Sequence, residues 1–460
     1  MIRKLSLTAG ALAVVALMAA CGDKKPAEAP KAEGAAPAAA APAAGQTTLT
    51  VATVNNGDMV VMQELSKKFE AANPDVKLNW VVLEENALRQ KVTTDIAAKG
   101  GQFDVVTIGM YEAPIWAKKG WLSEMKDLPA AYDVDDLIPA MKEGLSADGK
   151  LYALPFYGET SMTFYRKDLF DAKKLVMPAK PTYADIEKFA AALTDKNAGQ
   201  YGICLRGKAG WGENMAFLST MVNANGGRWF DEKWVPQLDQ PEWKATVNQY
   251  VNLLTKYGPP GASSNGFNEN LALMSGGKCG MWIDASVAAG MLFDAKQSKI
   301  ADKVGFAPAP VGSYSDASGW LWAWSLAIPA SSTKQDAAKK FITWATSKEY
   351  LALVGAEKGW GLVPPGTRKS TYANADYQKA APFASFVLDA LNKVVPGKST
   401  AKPVPYSGVQ YVGIPEFQAL GTVVGQSISG ALAGKSSVDD ALAAGQAAAK
   451  KAIDQGGYAK

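Results

Sequence analysis

Thr48-Leu-Thr-Val-Ala-Thr-Val54, followed by Asn55-Asn-Gly-Asp58, opens the stretch that decides the fold. Apolar and polar residues alternate through the first segment, which predicts a strand, and Asn55–Asp58 predicts a turn. Asp58 is placed to cap a helix with Met62, Leu65 and Phe69 on its core face, closing at Asn73-Pro74. Val76 to Leu83 predicts a second strand, followed by Glu84-Glu85-Asn86. Leu88, Val92 and Ile96 repeat at helical spacing up to Gly100-Gly101, and Phe103 to Ile108 predicts a third strand. The order β-α-β-α-β predicts an α/β fold with a parallel sheet covered on both faces. In such sheets the ligand crevice lies beyond the carboxyl ends of the strands. Those ends offer Asn55, Glu84 and Tyr111 as candidate ligand contacts.

A second unit follows. Ser161–Tyr165 predicts a strand, Thr182-x-x-Asp185 a capping box before a helix through Leu193, and Tyr201–Arg206 a short strand. Helices are expected from Trp243 to Tyr257 and from Asn268 to Gly276-Gly277, then a strand over Cys279–Ile283. Trp320–Ile328 predicts a long apolar strand, and helices are expected over Gln335–Thr346 and Asp439–Ile453. The glycine pairs lack the Lys-Ser/Thr or GxGxxG setting that cradles phosphate. A chain of 460 residues exceeds the roughly 250–300 residues that one core serves, so a single core is not expected.

Composition narrows the chemistry. The chain has no histidine, which excludes Ser-His-Asp and Cys-His catalysis and His-ligated zinc. Its formal charge of +4 falls by two once Arg3 and Lys4 leave with a leader, and no basic stripe suggests nucleic acid. Arg3-Lys4 precedes an apolar run, Leu5 to Ala20, too short for a comfortable membrane span. The run ends in Leu17-Met18-Ala19-Ala20-Cys21, which resembles a bacterial lipobox with Met18 in place of the usual Leu. Residues 1–20 are thus expected to be a signal peptide and Cys21 the lipidated N-terminus; a plain signal peptide is the alternative. Residues 21–46, rich in Ala and Pro, are expected to form a tether.

The candidate site residues are aromatic and acidic. Trp211 lies in a glycine-spaced loop after Arg206, and Trp360 in Gly359-Trp-Gly361 before two prolines. Trp320, Trp322 and Trp324 share one face of a strand, with core packing as the alternative for Trp320. Indole faces that stack on sugar CH groups, combined with Glu, Asp, Asn and Arg for hydroxyls, suit a neutral polyhydroxy ligand. Glu159 and Asp284 are either hydroxyl acceptors or a general acid/base pair. With Cys21 lipidated, Cys204 and Cys279 remain as a pair for which a disulfide is the default and two buried thiols the alternative.

Several segments, in this order and spacing, resemble the extracellular solute-binding proteins of ABC transporters, the group that includes the maltose-binding proteins. They are Leu65-Ser-Lys-Lys-Phe69-Glu, Phe103-Asp104-Val-Val, Leu154-Pro155-Phe-Tyr157, Phe164-Tyr165-Arg166-Lys-Asp168-Leu, Gly277-Lys-Cys-Gly-Met281 and Leu326-Ala-Ile328-Pro329. The resemblance covers residues 47 to 460. Tyr201-Gly-Ile-Cys204-Leu-Arg206, Trp211-Gly-Glu-Asn214-Met and Met281-Trp-Ile-Asp284-Ala resemble the sorbitol/mannitol binders within the group. The resemblance implies a two-lobed, hinge-connected α/β fold, with one lobe over 47–157 and 313–365 and the other over 158–312 and 366–460. It places Tyr157 and Glu159 on the first crossover and Trp211 at a stacking position. Asp284 falls on a strand end, Trp322 or Trp324 on the returning strand and Trp360 on a cleft loop. Segment 402–415 is expected to line the cleft without a residue being singled out.

The resemblance implies a monomeric, periplasmic binding protein that hands a polyol or small sugar to ABC permease subunits. It needs no cofactor, metal or catalytic residue, contacts no nucleic acid and meets the membrane only through its N-terminal anchor. An exported glycoside hydrolase using Glu159 and Asp284, or a binder of an oligosaccharide or another solute, are the alternatives.

Overall fold

The computed structural model describes residues 45–315 and 319–458; the leader, Cys21 and most of the tether lie outside them. Strand β1 (Thr47–Val54), helix α1 (Gly57–Ala72), β2 (Val76–Leu83), α2 (Glu85–Ala97), β3 (Val105–Gly109) and α3 (Glu112–Lys118) follow in the expected order. Met59, Met62, Leu65 and Phe69 of α1, and Leu88, Val92 and Ile96 of α2, are buried against the sheet. Each such side chain contributes up to about 1.5–3 kcal/mol through burial.

Two short strands, β4 (Ser146–Ala147) and β5 (Lys150–Leu151), precede β6 (Ala153–Glu159) and β7 (Ser161–Arg166). β8 (Met281–Ala285), β9 (Val304–Pro308) and β10 (Trp322–Ala327) complete the strands. The first sheet runs β2-β1-β3-β10-β6 and the second β8-β7-β9. β1 is parallel to β2 and β3, whereas β10 is antiparallel to β3 and β6, so the first sheet is mixed rather than wholly parallel. β6 and β7, separated only by Thr160, belong to different sheets, and β10 brings the chain back into the first. Each sheet is the centre of one lobe.

The boundaries differ in detail from the expectation. The first crossing falls at Thr160 rather than after Tyr157, because β6 pairs with β10 through Glu159. The return at 366 comes later: Arg368 is fully buried against Asp133, Asp136 and Thr346, and Ser370 also bonds to Asp136. Those partners belong to the first lobe, whereas Phe383 and Phe386 pack on Phe293 and Phe306 of the second.

Three local readings are corrected. The N-cap of α1 is Asn56, with extended backbone (φ −103°, ψ 155°), and Asp58 sits inside the first turn. Tyr201–Arg206 is not a full strand; it forms isolated bridges at Tyr201–Cys279 and Cys204–Trp282 beside the second sheet. The helix expected to Tyr257 is α-helical over Pro241–Asn252 and widens to a π-turn over Leu253–Tyr257 before Gly258. Those sparse bridges bring Cys204 beside Cys279, and the two form a disulfide with Cα atoms 5.9 Å apart.

Candidate functional site

A pocket lies between the lobes. Asn56, Glu85, Arg89, Tyr157 and Glu159 line it from the first lobe, and Arg206, Trp211 and Phe267 from the second. Trp320, Trp322 and Trp324, together with Gln410, complete the wall. The lobes are closed on one another. Asn86 Nδ2 donates to the Ala209 carbonyl (3.0 Å), Lys208 pairs with Glu84 (2.7 Å), and Asn268 Nδ2 donates to the Asn55 carbonyl (2.9 Å).

Two buried guanidiniums organise the cavity. Arg89, on α2, donates from Nε and Nη2 to Glu85 Oε1 at 3.0 and 2.9 Å, and from Nη1 to Glu112 Oε1. Glu112 is itself fixed by the Gly109 amide, which donates to Oε2 at 2.9 Å. The Arg89 carbon lies 4.1, 4.6 and 5.1 Å from the ring centroids of Trp211, Trp324 and Trp322, so three indoles surround one delocalised cation. Arg206 grips Asp284 through Nε (2.9 and 3.1 Å) and Nη2 (2.6 Å). Its Nη1 donates to the Gly212 carbonyl at 2.9 Å and lies 3.5 Å from Glu213.

Glycine makes these approaches possible. A Cβ on Gly109 would fall 1.9 Å from Cζ2 of Trp322, and one on Gly212 would fall 1.9 Å from Glu85 Oε1. The first lets an indole lie flat on β3. The second lets the α2 N-terminus of one lobe reach the Trp211 loop of the other.

Several polar groups on the wall are unused by the protein. The indole N–H groups of Trp211 and Trp320 are buried with no partner among the described residues. Glu159 is 6% exposed and, among the described residues, makes neither an ion pair nor a side-chain hydrogen bond. Burial pushes its carboxyl well above the usual range; Arg206 opposes this, while Asp284, Glu85 and Asp58 add to it. Tyr157 is oriented by the Asn56 amide, which donates to its hydroxyl at 2.8 Å. Buried donors and acceptors without partners are uncommon in folded proteins, and two of them fall on this wall.

Of the residues expected from the sequence, Tyr157, Glu159, Arg206, Trp211, Trp322 and Trp324 meet on the wall. Trp320 joins them rather than serving only as core. Asn55 and Glu84 are each one residue off. Asn55 points outward and Asn56 lines the cavity; Glu84 caps α2 and pairs with Lys208, while Glu85 lines it. Tyr111 stands behind Trp211 (centroids 4.9 Å apart), its hydroxyl donating to the Ile414 carbonyl and accepting from the Gln418 amide. Trp360 does not reach the wall, being half-buried over Gly355.

Asp284 does not face the cavity. It is fully buried, and Arg206, the Trp282 indole N–H (3.1 Å) and the Ala285 amide (2.7 Å) take up its oxygens. It therefore positions Arg206 and cannot act with Glu159 as an acid/base pair across a substrate, which removes the structural basis of the hydrolase alternative. Arg89, Asn56, Glu85, Phe267 and Gln410 were not singled out from the sequence. The one local signal for Arg89 is the i, i+4 spacing of Glu85 and Arg89. Gln410 lies in the 402–415 segment and is clamped to the backbone of Leu321, donating from Nε2 to its carbonyl at 3.0 Å. Among the described residues, no acidic or cysteine cluster could hold a metal ion, and no helix is long and apolar enough to cross a membrane.

Residues 53–352 match the family model described as bacterial extracellular solute-binding protein. The chain is 58% identical over 418 residues to a mannitol-binding protein of Pseudomonas aeruginosa, covering 91% of this chain and 96% of that one. A solute-binding protein of Agrobacterium vitis S4, solved with bound D-mannitol, superposes with a TM-score of 0.89 at 60% identity, over 90% of this chain and all of that one. A second, from Agrobacterium radiobacter K84 in complex with ribitol, gives 0.78 at 27% identity, over 88% and 98% of the two chains.

Proposed function

The chain belongs to the bacterial extracellular solute-binding proteins, and from that premise we propose that it captures an acyclic alditol of the mannitol type in the inter-lobe cavity. In this reading it is the periplasmic component of an ABC importer and delivers the closed complex to the permease subunits. It performs no reaction on its ligand. The relatives that bind mannitol and ribitol support the ligand class.

The observation that carries the reading is the unused polarity of an otherwise indole-lined cavity. The Trp211 and Trp320 N–H groups donate to ligand oxygens, the Glu159 carboxyl accepts from ligand hydroxyls, and the indole faces pack on the carbon chain. The mechanism is differential affinity. Glu159 and Tyr157 come from one lobe, and Trp211 and Arg206 from the other, so only the closed state offers the full set. We also propose that Cys21 anchors the chain to the membrane through a lipid and that the lobes divide near Thr160 and again between residues 373 and 383. D-mannitol at saturating concentration should raise the melting temperature, with maltose giving a smaller shift. No shift with mannitol, sorbitol or ribitol would remove the alditol reading.

A further inference from the structure

Acids outnumber guanidiniums around the cavity. Five buried acids, Glu85, Glu112, Glu159, Glu213 and Asp284, stand against two buried guanidiniums, and burial raises the carboxyls of Glu159 and Glu213. Arg89 is enclosed by Glu85 and Glu112, and Arg206 by Asp284 and Glu213, so neither is a free counter-ion for a ligand. Lys208 is the nearest further cation; it lies 3.9 Å from Glu213 but makes its short pair with Glu84 at the rim. Glu159 is left on the wall with no cation of its own.

Its surroundings suit one. Glu159 stands opposite Trp322 in the β6–β10 pairing and on the same face of β6 as Tyr157, so aromatic rings flank the carboxylate. A ligand ammonium there would meet one unpaired carboxylate and aromatic faces, both of which attract a cation in a dry site. A ligand carboxylate or phosphate would find no free cation, since each guanidinium is already held by two acids, and would stand against the Glu159 carboxyl.

Resting on the alditol reading of the cavity, we propose that the site accepts a second ligand class, amino-alditols, with the primary ammonium against Glu159, and that it rejects aldonates and alditol phosphates. An ammonium replaces a terminal hydroxyl at nearly the same size and supplies three donors where the hydroxyl supplies one. The raised carboxyl of Glu159 fits this picture, since a buried acid without a cation holds its proton and a bound cation releases it.

The test is calorimetric titration at pH 7 with D-mannitol, 1-amino-1-deoxy-D-mannitol, D-mannonate and D-mannitol 1-phosphate. The amino-alditol is expected to bind within about ten-fold of mannitol or more tightly, and both anions at least about 100-fold more weakly. Glu159→Gln is expected to lose at least about ten-fold more affinity for the amino-alditol than for mannitol. Mannitol binding with no amino-alditol binding overturns this inference alone, as does an anion that matches mannitol or a Glu159→Gln loss equal for both ligands. Absence of mannitol binding overturns the alditol reading and this inference with it.

Discussion

The two arginine clusters solve one problem in different ways. Each buries a guanidinium between two carboxylates at the wall of the same cavity, Arg89 in the first lobe and Arg206 in the second. Arg89 rides on a helix, shares its bonds between Glu85 and Glu112, and is packed among three indoles. Arg206 leaves an irregular extended segment, puts most of its bonds on Asp284, and sits two residues from the disulfide at Cys204. Regular structure and aromatic packing hold the first; one bidentate acid and a covalent cross-link hold the second. A group held by several weak partners should tolerate the loss of one better than a group held by a single strong one.

Asp284→Ala is the severest way to break that comparison. It leaves Arg206 buried with the Gly212 carbonyl and, as its one remaining acid, Glu213 at 3.5 Å, and should cost about 3–5 kcal/mol in urea denaturation and at least about 100-fold in mannitol affinity. Glu112→Ala, which leaves Arg89 its bonds to Glu85, should cost about half as much; equal losses would mean the clusters are equivalent. Replacing Cys204 and Cys279 together by Ser should remove about 4 kcal/mol in the chain-entropy account of a cross-link spanning 75 positions, while affinity falls less than about ten-fold. Arg89→Lys sharpens the comparison from the other side. Lysine keeps the charge but cannot fork between two acids or lie flat among indoles, so affinity should fall about ten-fold, read by tryptophan fluorescence titration.

The smallest effect expected is a pH slope. Glu159 is raised in the folded protein, so the native state holds its proton at pH values where the unfolded chain has released it. Stability of the ligand-free protein should therefore fall as pH rises above the unfolded carboxyl value of about 4.3, and Glu159→Gln should flatten that slope.

Much of the first lobe was legible because its signals are local. Met62, Leu65 and Phe69, and Leu88, Val92 and Ile96, repeat at helical spacing and are buried where expected. The strand ends were legible too, but not which residue there turns inward. At both β1 and β2 the wall residue shifts by one, to Asn56, the N-cap of α1, and to Glu85, the first residue of α2, and no residue type reveals which of the two neighbours turns inward. The antiparallel insertion of β10 between β3 and β6 could not be read, since it depends on a pairing more than 150 residues away in sequence. Arg89 was illegible for the same reason: its indole partners are Trp211, Trp322 and Trp324, brought together only by closure and sheet order. Asp284 was read as a cleft acid because a strand-end carboxylate looks alike whether it faces ligand or arginine.

The central claim is that an alditol is held by the unused polar groups between the two clusters. Calorimetric titration of D-mannitol into the wild-type protein and into Glu159→Ala combined with Trp211→Ala tests it most directly. The account predicts saturable binding of one mannitol per chain to the wild type and an affinity at least about 100-fold weaker in the double variant, with its circular dichroism unchanged. No mannitol binding by the wild type, or equal affinity in the folded variant, would contradict it.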